Sequence, residues 1–210
     1  KYENDYSGYP FGYIPEDNNT NNRINADMEY HTVICYPGYE TVYTFDRDHN
    51  MIREQTYDKD NLVSSYTASG GTTPWNVTVN NMLYRVESQQ QRSLDDENVY
   101  KYRTIVYRSD ENGTVEFLNS MEDKYLLIKA VKTVGDYIYV FSQKSNTVEV
   151  YRYDTVNDVW EMYENSYSGT VDLSKLYYSG TMFTSDQATS AGFQSVRFNP
   201  SAALTGNPWS

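Results

Sequence analysis

The amino-acid sequence predicts an all-β protein built from antiparallel meanders. Its apolar residues are mostly Tyr and Val, with 23 Tyr and 18 Val against 9 Leu, and aromatic and branched side chains suit a half-buried pleated surface. After Met28 the chain runs in short alternating segments, each bounded by Asn, Asp, Gly or Ser. This is the pattern of strands joined by tight turns, so we expect very little helix.

The predicted strands are 29–36, 40–45, 75–79, 82–87, 100–107, 125–131, 137–141, 147–153, 159–163 and 181–185. The turns between them have suitable residues. Asp110–Gly113 offers Asn and Gly, which adopt left-handed conformations at little cost, so we predict a tight hairpin there. Polar turns at 46–50 and 154–158 join two further strand pairs, whereas residues 89–98 are predicted to form a loop insertion.

The net charge of −12, from 29 acidic and 17 basic residues, limits the classes of partner. Such a protein repels phosphate backbones and anionic membranes at long range, so nucleic acid is not an expected partner. No apolar run approaches the roughly 20 residues that span a bilayer, and membrane insertion is not expected either. The many Tyr side chains supply the apolar bodies that the core of such a polar chain needs.

Residues 1–27 differ in composition from the meander domain that we predict over 28–210. They mix Tyr, Gly, Pro and Asn without a sustained period, which predicts an extended arm. The arm has too many large apolar side chains to leave exposed, namely Tyr2, Tyr6, Tyr9, Phe11, Tyr13 and Ile14. It should lie against the edge of its own first meander or against a neighbouring subunit. We favour the neighbour, which makes self-association through the arm an expectation.

Laying the segments beneath one another indicates four units of roughly 40 to 50 residues. In the third unit, a glycine and an aromatic strand at Gly135–Phe141 precede an extended polar stretch and the turn segment Tyr151–Trp160, which ends in Trp. This combination resembles the kelch-type β-propeller repeat. The resemblance implies propeller-like, four-stranded blades, with Tyr139, Phe183 and Trp160 buried at equivalent positions, in a four-unit protein or part of a larger propeller. A β-sandwich is the alternative fold.

The chain contains no motif that indicates nucleophilic or zinc chemistry. His31 falls in a predicted strand and His49 in an acidic turn, so neither is placed beside a nucleophile. Cys35 is expected to be a small buried strand residue. We therefore predict no catalytic residue and no cofactor.

Alternate oxygens in the run Asp46–Asn50 imitate the first half of a calcium loop. Met51 and Tyr57 stand where that loop needs Gly and Glu, so the run is predicted to be a solvated turn and no metal site is expected. The carboxylates at 95–97 and 122–123 fall in predicted polar loops, where solvation explains them better than glycosidase chemistry.

Three acceptor sequons, at Asn18, Asn76 and Asn112, are candidates for N-glycosylation. They favour an extracellular or secreted glycoprotein. The single cysteine excludes an internal disulfide framework. A start at Lys1 indicates either a removed upstream segment or a portion of a longer chain.

Three functions agree with these features. The first is a non-enzymatic extracellular or particle-surface module, a binding or structural protein that contacts protein or glycan through its loops. The second is a carbohydrate-active enzyme on a propeller scaffold. The third is a subunit of an extracellular filament, in which the arm adds to the sheet edge of a neighbour. The first is preferred, because nothing supplies the nucleophile or metal of an enzyme.

Overall fold

In a computed structural model the chain is all-β, with antiparallel sheets, as the sequence predicted. The structure describes residues 13–15, 28–36, 39–46, 50–71, 73–109 and 115–210. Within these ranges no helix is long and apolar enough to cross a membrane. The chain divides into two compact units, Lys1–Tyr125 and Leu126–Ser210, a division that falls inside the meander domain predicted over 28–210.

The strands of the first unit are β1 (Tyr13–Pro15), β2 (Met28–Tyr36), β3 (Tyr39–Phe45), β4 (Met51–Asp58), β5 (Asn61–Gly71), β6 (Trp75–Val79), β7 (Met82–Ser93), β8 (Tyr100–Ser109) and β9 (Val115–Glu122). They form one nine-stranded sheet in the order β1-β2-β3-β4-β5-β7-β8-β9, and β6 pairs with β7. The sheet curls into a half-barrel. Strands β2 and β9, which lie near opposite ends of the strand order, approach each other. Some of their Cα atoms lie within 8 Å of one another.

Tight turns join the strands of this sheet. Asn80 and Asn81 connect β6 to β7 with φ values of 49° and 64°, a left-handed conformation that Asn tolerates well. At the predicted turn after β3, the Asp46 carboxylate accepts a hydrogen bond of 2.9 Å from the backbone N–H of Asn50. β8 and β9 pair as predicted, although the hairpin tip itself lies outside the described residues.

One prediction in this unit is wrong. Residues 89–93, assigned to a loop insertion, continue strand β7, and residues 89–92 pair with β8. The loop assignment assumed that Gln and Arg face solvent. Instead Gln89 and Gln91 are buried within the curled sheet, where side-chain hydrogen bonds satisfy most of their polar atoms.

The strands of the second unit are β10 (Ile128–Val134), β11 (Tyr137–Lys144), β12 (Thr147–Asp154), β13 (Val159–Met162), β14 (Tyr167–Ser168), β15 (Tyr177–Tyr178), β16 (Phe183–Thr189) and β17 (Gly192–Phe198). β10 to β13 form a four-stranded antiparallel meander, and β14 pairs with β12. β15 to β17 form a separate three-stranded sheet, which we call the small sheet. A 3₁₀ turn at Leu173–Lys175 precedes the small sheet.

An aromatic core joins the meander to the small sheet. Phe198 of the small sheet lies 5.5 Å, centroid to centroid, from Phe141 of the meander and 4.9 Å from Tyr163. Tyr139 and Phe183, both buried, are 5.4 Å apart across the same core. Trp160, which was predicted to be buried like Tyr139 and Phe183, is instead half-buried; its ring lies 5.2 Å from that of Tyr153, outside this core. The inner face of the small sheet is therefore fixed by ring packing.

We predict that Phe183→Ala lowers the free energy of unfolding by about 3–5 kcal/mol, because Phe183 is fully buried among aromatic rings. Phe193 is the matched control: it lies on the neighbouring strand and is 73% exposed, so Phe193→Ala should change stability by less than about 0.5 kcal/mol. Chemical denaturation followed by tryptophan fluorescence measures both. Equal losses for the two variants would contradict the assigned core.

Candidate functional site

Only some of the residues predicted to be functional lie in the part of the chain that the structure describes. Asn76 lies on β6 with its side chain exposed. Tyr13 lies in β1 and pairs with Tyr30 of the chain's own β2. Tyr2, Tyr6, Tyr9, Phe11, Asn18 and Asn112 lie outside the described residues.

The acidic runs noted in the sequence do not converge. Asp96 accepts hydrogen bonds from the backbone and side chain of Asn98, as expected of a polar loop. Glu122 instead forms an ion pair with Arg103. Among the described residues, no group of three or more His, Cys, Asp or Glu side chains could hold a metal ion.

A groove of about 440 Å³ lies on the outer face of the small sheet. Its lining combines an aromatic ring, two opposite charges and several hydroxyl groups: Tyr177, Ser179, Thr181, Met182, Thr184, Asp186 and Arg197. All of these residues belong to the second unit. We call this feature the Tyr177 groove.

Strand alternation decides which side chains face the groove. Successive side chains of a strand point to opposite faces. Because Phe183 points into the core, Thr184 must point outward on β16, and Arg197 points outward on β17 next to buried Phe198. Tyr177 pairs with Thr184, and Thr184 pairs with Arg197, so these three side chains form one row across the outer face.

Asp186 is the charged centre of the groove. Its two carboxylate oxygens each accept a hydrogen bond, one from the Ser195 hydroxyl and one from the Tyr177 hydroxyl at 2.8 Å. The Ser195 bond, then the Tyr177 bond, and the nearby charge of Arg197 hold the pKa of Asp186 below its usual range. The same bond to Asp186 raises the pKa of the Tyr177 phenol. At neutral pH the groove therefore holds an ionised carboxylate and a neutral phenol.

The groove presents groups that can contact a ligand. The Tyr177 side chain is 48% exposed, so its ring is accessible to a ligand. Asp186 accepts hydrogen bonds and Arg197 donates them. Asp186 is the only carboxylate among the seven lining residues, whereas glycoside hydrolysis uses a pair of carboxyl groups.

The first unit contains a buried ion pair that crosses the interior of the curled sheet. Arg103 on β8 is paired with Glu54 on β4, although β5 and β7 separate these strands in the sheet order. Arg103 also contacts Glu122 on β9 at 3.1 Å. Nearby, Gln89 on β7 donates to the backbone oxygen of Met51 on β4 at 2.7 Å. These bonds tie distant strands together.

Glu87 occupies the same interior and is 5% exposed. Its Oε1 atom accepts hydrogen bonds from Tyr107 Oη at 3.1 Å and Gln89 Nε2 at 2.9 Å. Burial raises the pKa of Glu87 to about 7, although these bonds and the charge of Arg85 act in the opposite direction, and Asp46 adds a small increase. The carboxyl therefore titrates near neutral pH.

Comparisons with known proteins identify no family. No family model matches the chain, and no curated protein matches it. A solved structure described as a functionally unknown protein from Desulfotomaculum acetoxidans DSM 771 is similar at a TM-score of 0.36 and 13% identity. The match covers 84% of this chain and 71% of that one.

Sequence reasoning identified neither the Tyr177 groove nor the buried polar interior. The groove depends on which face of β16 packs on the core, and short segments such as Tyr177–Tyr178 carry no period. The interior did leave a signal: β7 is polar at every position from Glu87 to Ser93. Such a polar row on a long strand indicates either a solvated face or, as here, a hydrogen-bonded interior.

We predict that the free energy of unfolding falls as pH rises from 4.5 to 7, by up to about 3 kcal/mol, through Glu87. Its pKa is higher in the folded state than in the unfolded chain, so the folded state binds more protons throughout this window. Tyr107 remains neutral there, because burial raises the pKa of its phenol. The measurement is urea denaturation across this pH range, comparing the wild type with Glu87→Gln. Both proteins contain the two histidines, so the difference between their free energies of unfolding reports Glu87 alone. A difference that does not change with pH would contradict the prediction.

Proposed function

We propose that this protein is a non-enzymatic binding module, acting outside the cell or on a particle surface, that contacts glycan or protein through the Tyr177 groove. The observation that carries the proposal is the groove itself: an exposed aromatic ring beside an ionised carboxylate and a guanidinium. Binding sites combine a few fixed polar groups with aromatic surface in this way.

An enzyme on the same scaffold is less well supported. A general acid needs a pKa near the working pH, but Asp186 has a lowered pKa and lacks a second carboxylate in the groove. Glu87 titrates near neutral pH, but it is enclosed in the first unit by Tyr107 and Gln89.

The proposal also covers the type of β architecture and the role of the arm. The four-stranded meander of β10 to β13 agrees with one blade of the propeller implied by the kelch resemblance. The shared core of that meander and the small sheet instead supports the sandwich alternative for the second unit. Self-association through residues 2–11 of the arm and the filament role remain proposals.

An extracellular location is supported by the exposure of Asn76, since the transferase needs an accessible acceptor. We predict that mass spectrometry of native material finds Asn76 glycosylated, and that Asn76→Gln removes the modification without unfolding the protein. Unmodified Asn76 in native material would count against the secretory route.

We predict that binding to immobilised polysaccharides depends on Tyr177. The wild type should be retained on at least one polymer of a panel, and Tyr177→Ala should lose at least about tenfold in affinity, because large aromatic contacts dominate such interfaces. Affinity electrophoresis or biolayer interferometry makes the measurement.

The matched control is Tyr100→Ala, which removes a similarly exposed tyrosine, 42% exposed, from the first unit. It should leave binding unchanged, and both variants should melt like the wild type. If no polymer retains the wild type, or if both variants weaken binding equally, the Tyr177 groove is not a glycan site.

A further inference from the structure

We infer that the ligand of the Tyr177 groove is an uncharged sugar ring, which stacks on Tyr177 while neighbouring hydroxyl groups donate to Asp186 and accept from Arg197. This inference rests on the proposed binding function and names the class of ligand. Three features of the groove lead to it: a tethered ring, unused acceptor capacity and a balanced charge.

The Tyr177 ring is held in place before any ligand arrives. Its hydroxyl donates to Asp186, and its strand pairs with β16 through Thr184. A ring fixed in this way loses little conformational freedom on binding. The apolar face of a pyranose, made of C–H groups, fits against the accessible ring face, whereas its hydroxyl groups project sideways towards the polar lining.

Asp186 retains acceptor capacity for a ligand. A carboxylate offers about four acceptor positions, and the hydrogen bonds from Ser195 and Tyr177 occupy one on each oxygen. The remaining positions suit the hydroxyl hydrogens of a sugar. Because the lowered pKa keeps the group ionised, these bonds are charge-assisted and stronger than neutral ones.

The charges favour a neutral sugar over an acidic one. Arg197 and Asp186 are the two charged lining residues, so the groove has no net charge. A uronate or sulfate group placed against Arg197 would also lie close to the Asp186 carboxylate. The whole chain, at −12, adds long-range repulsion of polyanions.

A peptide ligand fits the groove less well. Peptide recognition commonly uses a free sheet edge or an apolar channel. The Tyr177 groove instead lies on a sheet face, and Met182 is the one aliphatic side chain among its seven lining residues. The exposed Thr181 hydroxyl suits a ligand that is rich in hydroxyl groups, whereas Thr184 is 5% exposed and the Ser179 hydroxyl already bonds to Met182.

The experiment compares binding of the full chain to a neutral glucan, mannan and galactan with binding to polygalacturonate and a sulfated polysaccharide, at low and high salt. We expect a neutral polymer to bind with an affinity that changes less than about threefold between about 0.05 and 0.5 M NaCl. Asp186→Asn should weaken this binding by about tenfold. Tyr177→Phe keeps the ring but removes its hydrogen bond to Asp186, and should weaken binding less than Tyr177→Ala does.

The possible outcomes distinguish failure of the proposed binding function from failure of the neutral-sugar inference. Binding of acidic polymers alone, dependent on Tyr177 and weakened by salt, overturns the neutral-sugar inference and leaves the proposed function intact. Neutral binding that survives Tyr177→Ala and Asp186→Asn overturns the assignment to this groove. Failure of every polymer to retain the wild type overturns the glycan assignment altogether.

Discussion

The packing of Phe183 and Phe198 on the rings of the neighbouring meander is the constraint on which the proposed site depends. These two side chains fix which face of β16 and β17 is buried. A strand has only two faces, so burial of Phe183 and Phe198 turns Thr184, Asp186 and Arg197 to the opposite face. A shift of one residue in either strand would bury a charge and expose a phenylalanine. Core and groove are thus two consequences of the same alternation.

The first unit is organised by a different physical rule. Its curled sheet is lined by Glu54, Glu87, Gln89 and Arg103 as well as by apolar residues such as Phe45 and Tyr107. A buried charge is costly unless paired, and Arg103 is placed where carboxylates from two other strands reach it. Removal of Glu54 would leave Glu122, which is more than half exposed, as the carboxylate beside buried Arg103. The polar interior therefore links strands that are not neighbours in the sheet order, and it holds a carboxyl that titrates near pH 7.

Local patterns in the sequence predicted much of the fold. Val-rich and Tyr-rich alternation predicted the strands of the meander from Ile128 to Met162, and the polar run at 154–158 predicted its last turn, where Asp154 accepts from the backbone N–H of Val156. Strand β5, with its Ser, Ala and Gly residues, has weak propensity and was not predicted. It exists because β4 and β7 pair with it on both sides.

Local patterns in the sequence could not predict the candidate site. The tyrosines of the chain look alike in sequence, yet Tyr139 is buried and Tyr177 is exposed. Only the pairing of three short strands brings Tyr177, Asp186 and Arg197 together, and these residues are up to twenty positions apart. Tertiary packing, rather than propensity, therefore creates the groove.

The most direct test of the account is a two-dimensional amide NMR titration of the ¹⁵N-labelled protein with the neutral oligosaccharide that competes best for polymer binding. The account predicts that the largest shifts fall on the amides of Tyr177, Thr184, Asp186 and Arg197, while resonances of the first unit stay in place. Shifts concentrated in the first unit, or along the β10 to β13 meander, would contradict the assignment of binding to the Tyr177 groove.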